Sequence, residues 1–280
     1  MIDMQIFTAE HSGFCEGVAR AYQIATEQMS KGRPVFMLGN LVHNTQVIDK
    51  FKSSGVKMVK TLEEIISADN GILLISAHGV SPEIYDKAKN LGLEVVDTTC
   101  PWVKKAQNIA KQLFDQGMFV LIVGDIGHAE VKGLFGWAGG HAQVIESGDD
   151  IKDCISDKKI GIIAQTTQSQ ENFARIVKMI KKKYPSAEVY NTICGATSKR
   201  QKAAVELAKK VELMLVIGDK MSANTKRLTE LCQATGTETH QIQTIGELDK
   251  KWLKGKIGIT AGASTPDWVI KEVINLLWAQ

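Results

Sequence analysis

Three of the five cysteines in this chain recur in matching company. Cys15 lies in SGFCEGVARA, Cys100 in DTTCPWVKKA and Cys194 in NTICGATSKRQ, each just ahead of a helical pattern. The same interval of 28 residues leads from Cys15 to His43, from Cys100 to His128 and from Cys194 to Ser222. Four residues before each of these polar residues stands a glycine (Gly39, Gly124, Gly218) that closes an apolar run. A second apolar run then ends in a loop of small polar residues: Ser76–Ser81, Ala164–Ser169 and Thr260–Asp267. Three matched coincidences of spacing indicate three homologous units. No two cysteines have CxxC spacing, so a zinc ribbon or a ferredoxin-like run is excluded, and a shared metal has to be assembled from distant loops.

The N-terminal end of a helix favours a thiolate, the form that ligates metals. Three such thiolates suit a [4Fe–4S] cluster whose fourth iron has no protein ligand and is open to a substrate oxygen. Zinc held by three cysteines and a histidine from one of these loops is the competing arrangement. Cys154 and Cys232 fall outside the repeat and read as small buried hydrophobes. His43, His78, Ser222, Asn224 and Ser264 offer hydrogen-bond donors from strand-end loops, and the helices that follow add their N-terminal amides, a combination suited to an anion. Glu130, two residues after His128, matches Asn224 in position and is placed to deliver a proton to a leaving hydroxyl; Thr166 and Thr167 are candidates to orient it.

The elements that must position these residues alternate. Val35–Leu38, Gly71–Ser76, Val120–Gly124, Ile160–Ala164, Leu213–Gly218 and Ile257–Thr260 are nearly continuous apolar runs, expected of parallel strands covered on both faces. Helical patterns follow them; in Trp102–Phe114 the residues Trp102, Ala106, Ile109 and Leu113 recur at helical spacing, and Pro101 suits a first helical turn. The expectation is an α/β fold of three similar small lobes with mostly parallel sheets about a pseudo-threefold axis, the cluster at the centre. The lobes are expected over residues 1–96, 97–190 and 191–280.

The formal charge of +3 is too small to point to nucleic acid, and Lys178–Lys183 reads as the solvated end of a helix. No apolar run approaches a membrane span. The first residues lack the basic start and apolar stretch of an export signal, which points to the cytoplasm.

The motifs GFCEGV, LVHN, SAHGVS, DTTCP, GHAEV, QTT, ICGAT, SAN and TAGAS, in this order from about Gly13 to Asp267, resemble the 4-hydroxy-3-methylbut-2-enyl diphosphate reductase family. The resemblance implies an enzyme that removes an allylic hydroxyl with two electrons and two protons, giving isopentenyl and dimethylallyl diphosphate. It implies Cys15, Cys100 and Cys194 as ligands of one [4Fe–4S] cluster. It further implies His43, His78, Ser222, Asn224 and Ser264 as a diphosphate clamp, with Ala223 lending its backbone N–H. His128, Thr166 and Glu130 become the hydroxyl-end network. Ala129, Ala223 and Ala164 stand where the family often has proline, serine and threonine. No GxGxxG follows a strand, so a ferredoxin or flavodoxin is the expected electron donor, with a monomer as the expected state. The rivals are a cluster dehydratase of the quinolinate-synthase kind and a non-catalytic iron–sulfur sensor.

Overall fold

The computed structural model describes residues 4–66, 70–151 and 159–279; Cys154 lies outside them. The chain begins with β1 (Gln5–Thr8), α1 (Glu16–Met29), β2 (Val35–Leu38), α2 (Thr45–Ser53) and β3 (Lys57–Val59). It continues through β4 (Ile72–Ile75), α3 (Pro82–Asn90), β5 (Glu94–Asp97), α4 (Pro101–Asp115), β6 (Phe119–Val123), α5 (Ala129–Trp137) and β7 (Ala142–Ile145). Next come β8 (Ile160–Ala164), α6 (Gln170–Lys183), β9 (Glu188–Val189), α7 (Gly195–Ala208), β10 (Leu213–Ile217), α8 (Ala223–Gln233), β11 (Glu238–Ile242), β12 (Lys256–Ala261) and α9 (Asp267–Trp278).

The strands form three four-stranded parallel sheets, ordered β3-β2-β4-β5, β7-β6-β8-β9 and β1-β12-β10-β11. The six strands expected from apolar runs are the two central strands of each sheet. Two-sided burial explains why. In β6, Leu121 and Val123 pack toward α6 with Phe173, Ile176 and Ile180, whereas Val120 and Ile122 pack toward α4 and α5 with Ala106, Leu113 and Leu134. In β10, Leu215 and Ile217 face α9, and Met214 and Val216 face α7 and α8. Each such burial is worth about 1.5–3 kcal/mol, so a central strand needs apolar residues at successive positions.

The edge strands escape that rule. β1, β5 and β9 are part-exposed along most of their length, and their mixed sequences (QIFT, EVVD, EV) show no apolar run. β1 pairs with β12, so the N-terminal segment completes the sheet of the C-terminal strands, with Gln5 opposite Lys256. By contacts the chain forms two compact units: residues 1–18, 43–47 and 195–280, and residues 19–42 and 48–194. The first holds the β1-β12-β10-β11 sheet; the second holds the other two.

The three glycines do the same local work. Each follows the central strand β2, β6 or β10, and its N–H donates across to the end of the next strand: Gly39 to Val59 O at 2.8 Å, Gly124 to Ile145 O at 3.1 Å and Gly218 to Ile242 O at 2.9 Å. A side chain at Gly124 would meet Val131 Cγ2 at 2.8 Å and the Gln165 side chain at 2.9 Å. Gly124→Ala is therefore expected to cost about 1–3 kcal/mol by overpacking, seen as a lower melting temperature. An unchanged value would show that the Gln165 loop yields freely.

Candidate active site

Each of the three cysteines sits at the start of a helix and is tethered in the same way. Cys100 is the N-cap of α4, and Cys15 and Cys194 immediately precede α1 and α7. The N–H of Cys15 donates to Ala263 O at 3.2 Å, that of Cys100 to Ala77 O at 3.0 Å and that of Cys194 to Thr166 O at 3.0 Å. Ala263, Ala77 and Thr166 lie in the small-polar loops after β12, β4 and β8, so the sheet fixes each cysteine through its neighbouring loop. The positive end of a helix dipole beside each sulfur suits a negatively charged ligand atom. None of the three is in a disulfide. Cys232 differs: it is fully buried between α7, α8 and β10, and burial pushes its thiol up to about 12, which makes it inert. Cys15 and Cys100 are part-exposed and Cys194 is buried, and a thiolate at a helix start is the donor type that an iron–sulfur cluster takes.

In the first unit, polar residues gather at the carboxyl ends of β10 and β12. Ser222 caps α8, its Oγ accepting from Thr225 N at 3.3 Å. Ser264 Oγ donates to His43 O at 2.9 Å and lies 3.3 Å from Ser222 Oγ. Asn224 Oδ1 accepts from Ala263 N at 2.9 Å, the loop residue that also anchors Cys15. That bond turns the Asn224 amide nitrogen inward, where it is buried with no partner among the described residues. A buried donor left unpaired costs about 1–3 kcal/mol, so its retention points to a ligand acceptor. Ala223 is the first residue of α8. Burial holds His43 below the usual imidazole range, partly offset by the Asp219 carboxylate.

In the second unit, His128 caps α5, its Nδ1 accepting from Glu130 N at 3.2 Å. Glu130, in the first turn, is 2% exposed. Its Oε1 accepts from Thr166 N at 2.6 Å and its Oε2 from Thr166 Oγ1 at 2.8 Å. Burial, helped by the nearby charge of Asp125, pushes the carboxyl up to about 7, against the lowering effect of the Thr166 bonds. His78, in the loop after β4, stacks edge-on against His128 with ring centroids 5.4 Å apart. Thr167 takes a different part: Gln165 Nε2 donates to its hydroxyl at 2.9 Å, and Gln165 Oε1 accepts from Asp125 N at 2.8 Å. Gln165 and Thr167 thus brace the loop that carries Thr166.

The model of the LytB protein family matches residues 6–278. The chain belongs to the LytB family. It is 45% identical over 274 residues to the 4-hydroxy-3-methylbut-2-enyl diphosphate reductase of Geobacter sulfurreducens, covering 97% of this chain and 96% of that one. The protein of the same name from Trichlorobacter lovleyi is 44% identical over 276 residues, 98% of each chain. Among solved structures, the E-1-hydroxy-2-methyl-but-2-enyl-4-diphosphate reductase of Plasmodium falciparum superposes with a TM-score of 0.92 at 31% identity, covering 97% of this chain and 87% of that one. A further (E)-4-hydroxy-3-methyl-but-2-enyl diphosphate reductase, described as the terminal enzyme of the non-mevalonate pathway, gives 0.72 at 37% identity with full coverage of both chains. The three parallel α/β sheets are therefore the LytB fold.

Against this LytB frame, three residues beside the polar set of the first unit have no counterpart in the sequence expectations. Asn44 caps α2, its Oδ1 accepting from Val47 N at 3.0 Å. Thr45 opens α2 and bonds Asp219, which is 1% exposed. The motif LVHN contains Asn44, and Asp219 directly follows Gly218, but the pairing of positions 174 apart leaves no local signature. Ala129, where a proline is common, is simply the first residue of α5.

Proposed function

We propose that this LytB-family protein is a 4-hydroxy-3-methylbut-2-enyl diphosphate reductase, with Cys15, Cys100 and Cys194 holding one [4Fe–4S] cluster that has an open fourth iron. The equivalence of the three cysteines in sequence, and their matching backbone tethers, support one shared ligand role. When bound, the cluster would pass on, one at a time, the two electrons of an external donor and would offer a Lewis-acid position for the allylic hydroxyl. The lobes over 1–96, 97–190 and 191–280 are read as repeats of one plan, each contributing one cysteine.

The observation that carries the reading is Thr166. Its N–H and hydroxyl hold the Glu130 carboxylate, while its carbonyl accepts from the N–H of Cys194. A proton donor poised near neutrality is thereby fixed one residue away from a cysteine ligand. Glu130 gives one proton to the departing hydroxyl, which leaves as water, with His128 beside it and Thr166 orienting it; two electrons and a second proton, taken at carbon, complete the balance. The remaining allylic fragment takes its proton at either end, giving isopentenyl or dimethylallyl diphosphate. Ser222, Asn224, Ser264, His43 and the Ala223 N–H receive the diphosphate, with His78 completing the donor set, and so fix the position of the hydroxyl. The unpartnered Asn224 amide is what such an anion would satisfy.

Electrons are supplied by a ferredoxin or flavodoxin, the protein works as a monomer, and it resides in the cytoplasm, a compartment that suits cysteines outside disulfides, as the described ones are. Anaerobically reconstituted protein should oxidise reduced methyl viologen only when the hydroxylated diphosphate is added, and both product diphosphates should accumulate. An intact cluster without substrate-dependent oxidation would sink the reading in favour of a cluster dehydratase.

A further inference from the structure

Asp219 takes no part in the steps above, although it is an almost fully buried carboxylate beside the loops assigned to the diphosphate. On charge alone it is unfavourable there, since a nearby anion repels another. Its bonds give another reason for its presence. Asp219 Oδ2 accepts from Thr45 N at 2.9 Å, from Thr45 Oγ1 at 2.6 Å and from Gln243 Nε2 at 3.2 Å, and Oδ1 accepts from Met221 N at 2.8 Å. Gln243 Nε2 also reaches Thr45 Oγ1 at 3.0 Å. Ser264 Oγ donates to His43 O at 2.9 Å. Asp219, Gln243 and Ser264 lie beyond the carboxyl ends of β10, β11 and β12, which belong to one sheet. The segment His43–Thr45 is thus fastened to three strand ends of that sheet.

We propose that Asp219, supported by Gln243, is a positioning residue that holds the His43–Thr45 segment in register with Ser222, Asn224 and Ser264, so that these donors meet one diphosphate. This rests on reading that set as the diphosphate site. The negative charge of Asp219 is spent on backbone and side-chain donors, and its contribution to binding is the placement of His43, not attraction. An asparagine at 219 keeps the shape but brings an N–H₂ group where one or more donors need an acceptor, so part of the tether must break.

In the Asp219→Asn holoenzyme, the KM for the hydroxylated diphosphate and the Kd for inorganic diphosphate are expected to rise about 10- to 100-fold, as for a lost charge-assisted hydrogen bond. The saturated kcat and the cluster spectrum should stay within about threefold of the parent, a split expected when only ground-state positioning is lost. Gln243→Ala, a milder change at a part-exposed residue, should weaken diphosphate binding by about three- to tenfold, and by less when Asp219 is already replaced. Unchanged or tighter diphosphate binding in Asp219→Asn would overturn the proposal, because a bystander charge gives that result. Should Asp219→Asn fail to fold, Gln243→Ala decides: parent-like diphosphate affinity overturns the proposal and weakened affinity with intact kcat supports it. A parent protein that itself neither binds diphosphate nor turns over would instead refute the assignment of the site.

Discussion

Cys100→Ser is expected to yield protein without an iron–sulfur cluster and without reductase turnover, whereas Cys232→Ser keeps both. A serine hydroxyl does not ionise near neutrality and is a hard oxygen donor, so it does not replace a thiolate on iron. The proposed ligand set has no spare thiolate, so Cys15→Ser and Cys194→Ser should behave as Cys100→Ser does. The matching tethers to Ala263, Ala77 and Thr166 give no reason to rank them. Cys232 supplies the control because it is packed against Ala204, Ala208 and Leu228, away from any strand-end loop. Its replacement buries a hydroxyl at an apolar position, so a lower melting temperature by the equivalent of about 1–3 kcal/mol is expected alongside a full cluster. Iron and sulfide per chain, measured after anaerobic reconstitution, separate the two outcomes. Equal loss of iron from Cys232→Ser and Cys100→Ser would show that position in the repeat does not mark the ligands.

Glu130→Gln should lower kcat by roughly 100-fold or more while leaving cluster content and diphosphate affinity near normal, as expected when a general acid is lost. Glutamine fits the site: its amide oxygen can take the Thr166 N–H, and its NH₂ can donate to the Thr166 hydroxyl, which is both donor and acceptor. The loss would therefore be of a proton rather than of structure. The pH dependence follows from the raised carboxyl. A donor must hold its proton, and Glu130 holds it below about 7, so kcat should be level at lower pH and fall about tenfold per unit above it. The residual rate of Glu130→Gln should lack that limb. Thr166→Val adds a directional check: the Thr166 bonds favour the carboxylate, so removing the hydroxyl should move the falling limb to higher pH. A limb that persists unchanged in Glu130→Gln would assign the titration, and the proton, to another group.

The two predictions draw on different kinds of information, which bears on how much of this protein is legible in its residues. The cysteines are legible in their interval, because each repeat of one plan places an equivalent residue at the start of an equivalent helix. The central strands were legible for a related reason: burial on both faces demands successive apolar residues, as in Leu121–Val123 and Leu213–Ile217. β1, β5 and β9 had no such demand placed on them. The pairing of β1 with β12 joins segments far apart in sequence, and no local pattern encodes the register that sets Gln5 opposite Lys256.

The functional residues divide in the same way. By itself the sequence determined which side-chain types recur at strand ends, and hence the three thiols, the histidines, the serines and Glu130 as candidates. Only the tertiary structure decided their states. Glu130 could equally have been a surface carboxylate; burial under the Thr166 loop is what brings its proton into the neutral range. Asn224 became a poised donor because Ala263 claims its oxygen, and Asp219 acquired a role because Thr45 and Gln243 close around it. The physical reason is common to all three: a residue type is local, whereas desolvation and hydrogen-bond partners come from segments distant in sequence. The three cysteines join both levels, since their interval marks them as equivalent and their matching backbone tethers hold each one at the end of a sheet.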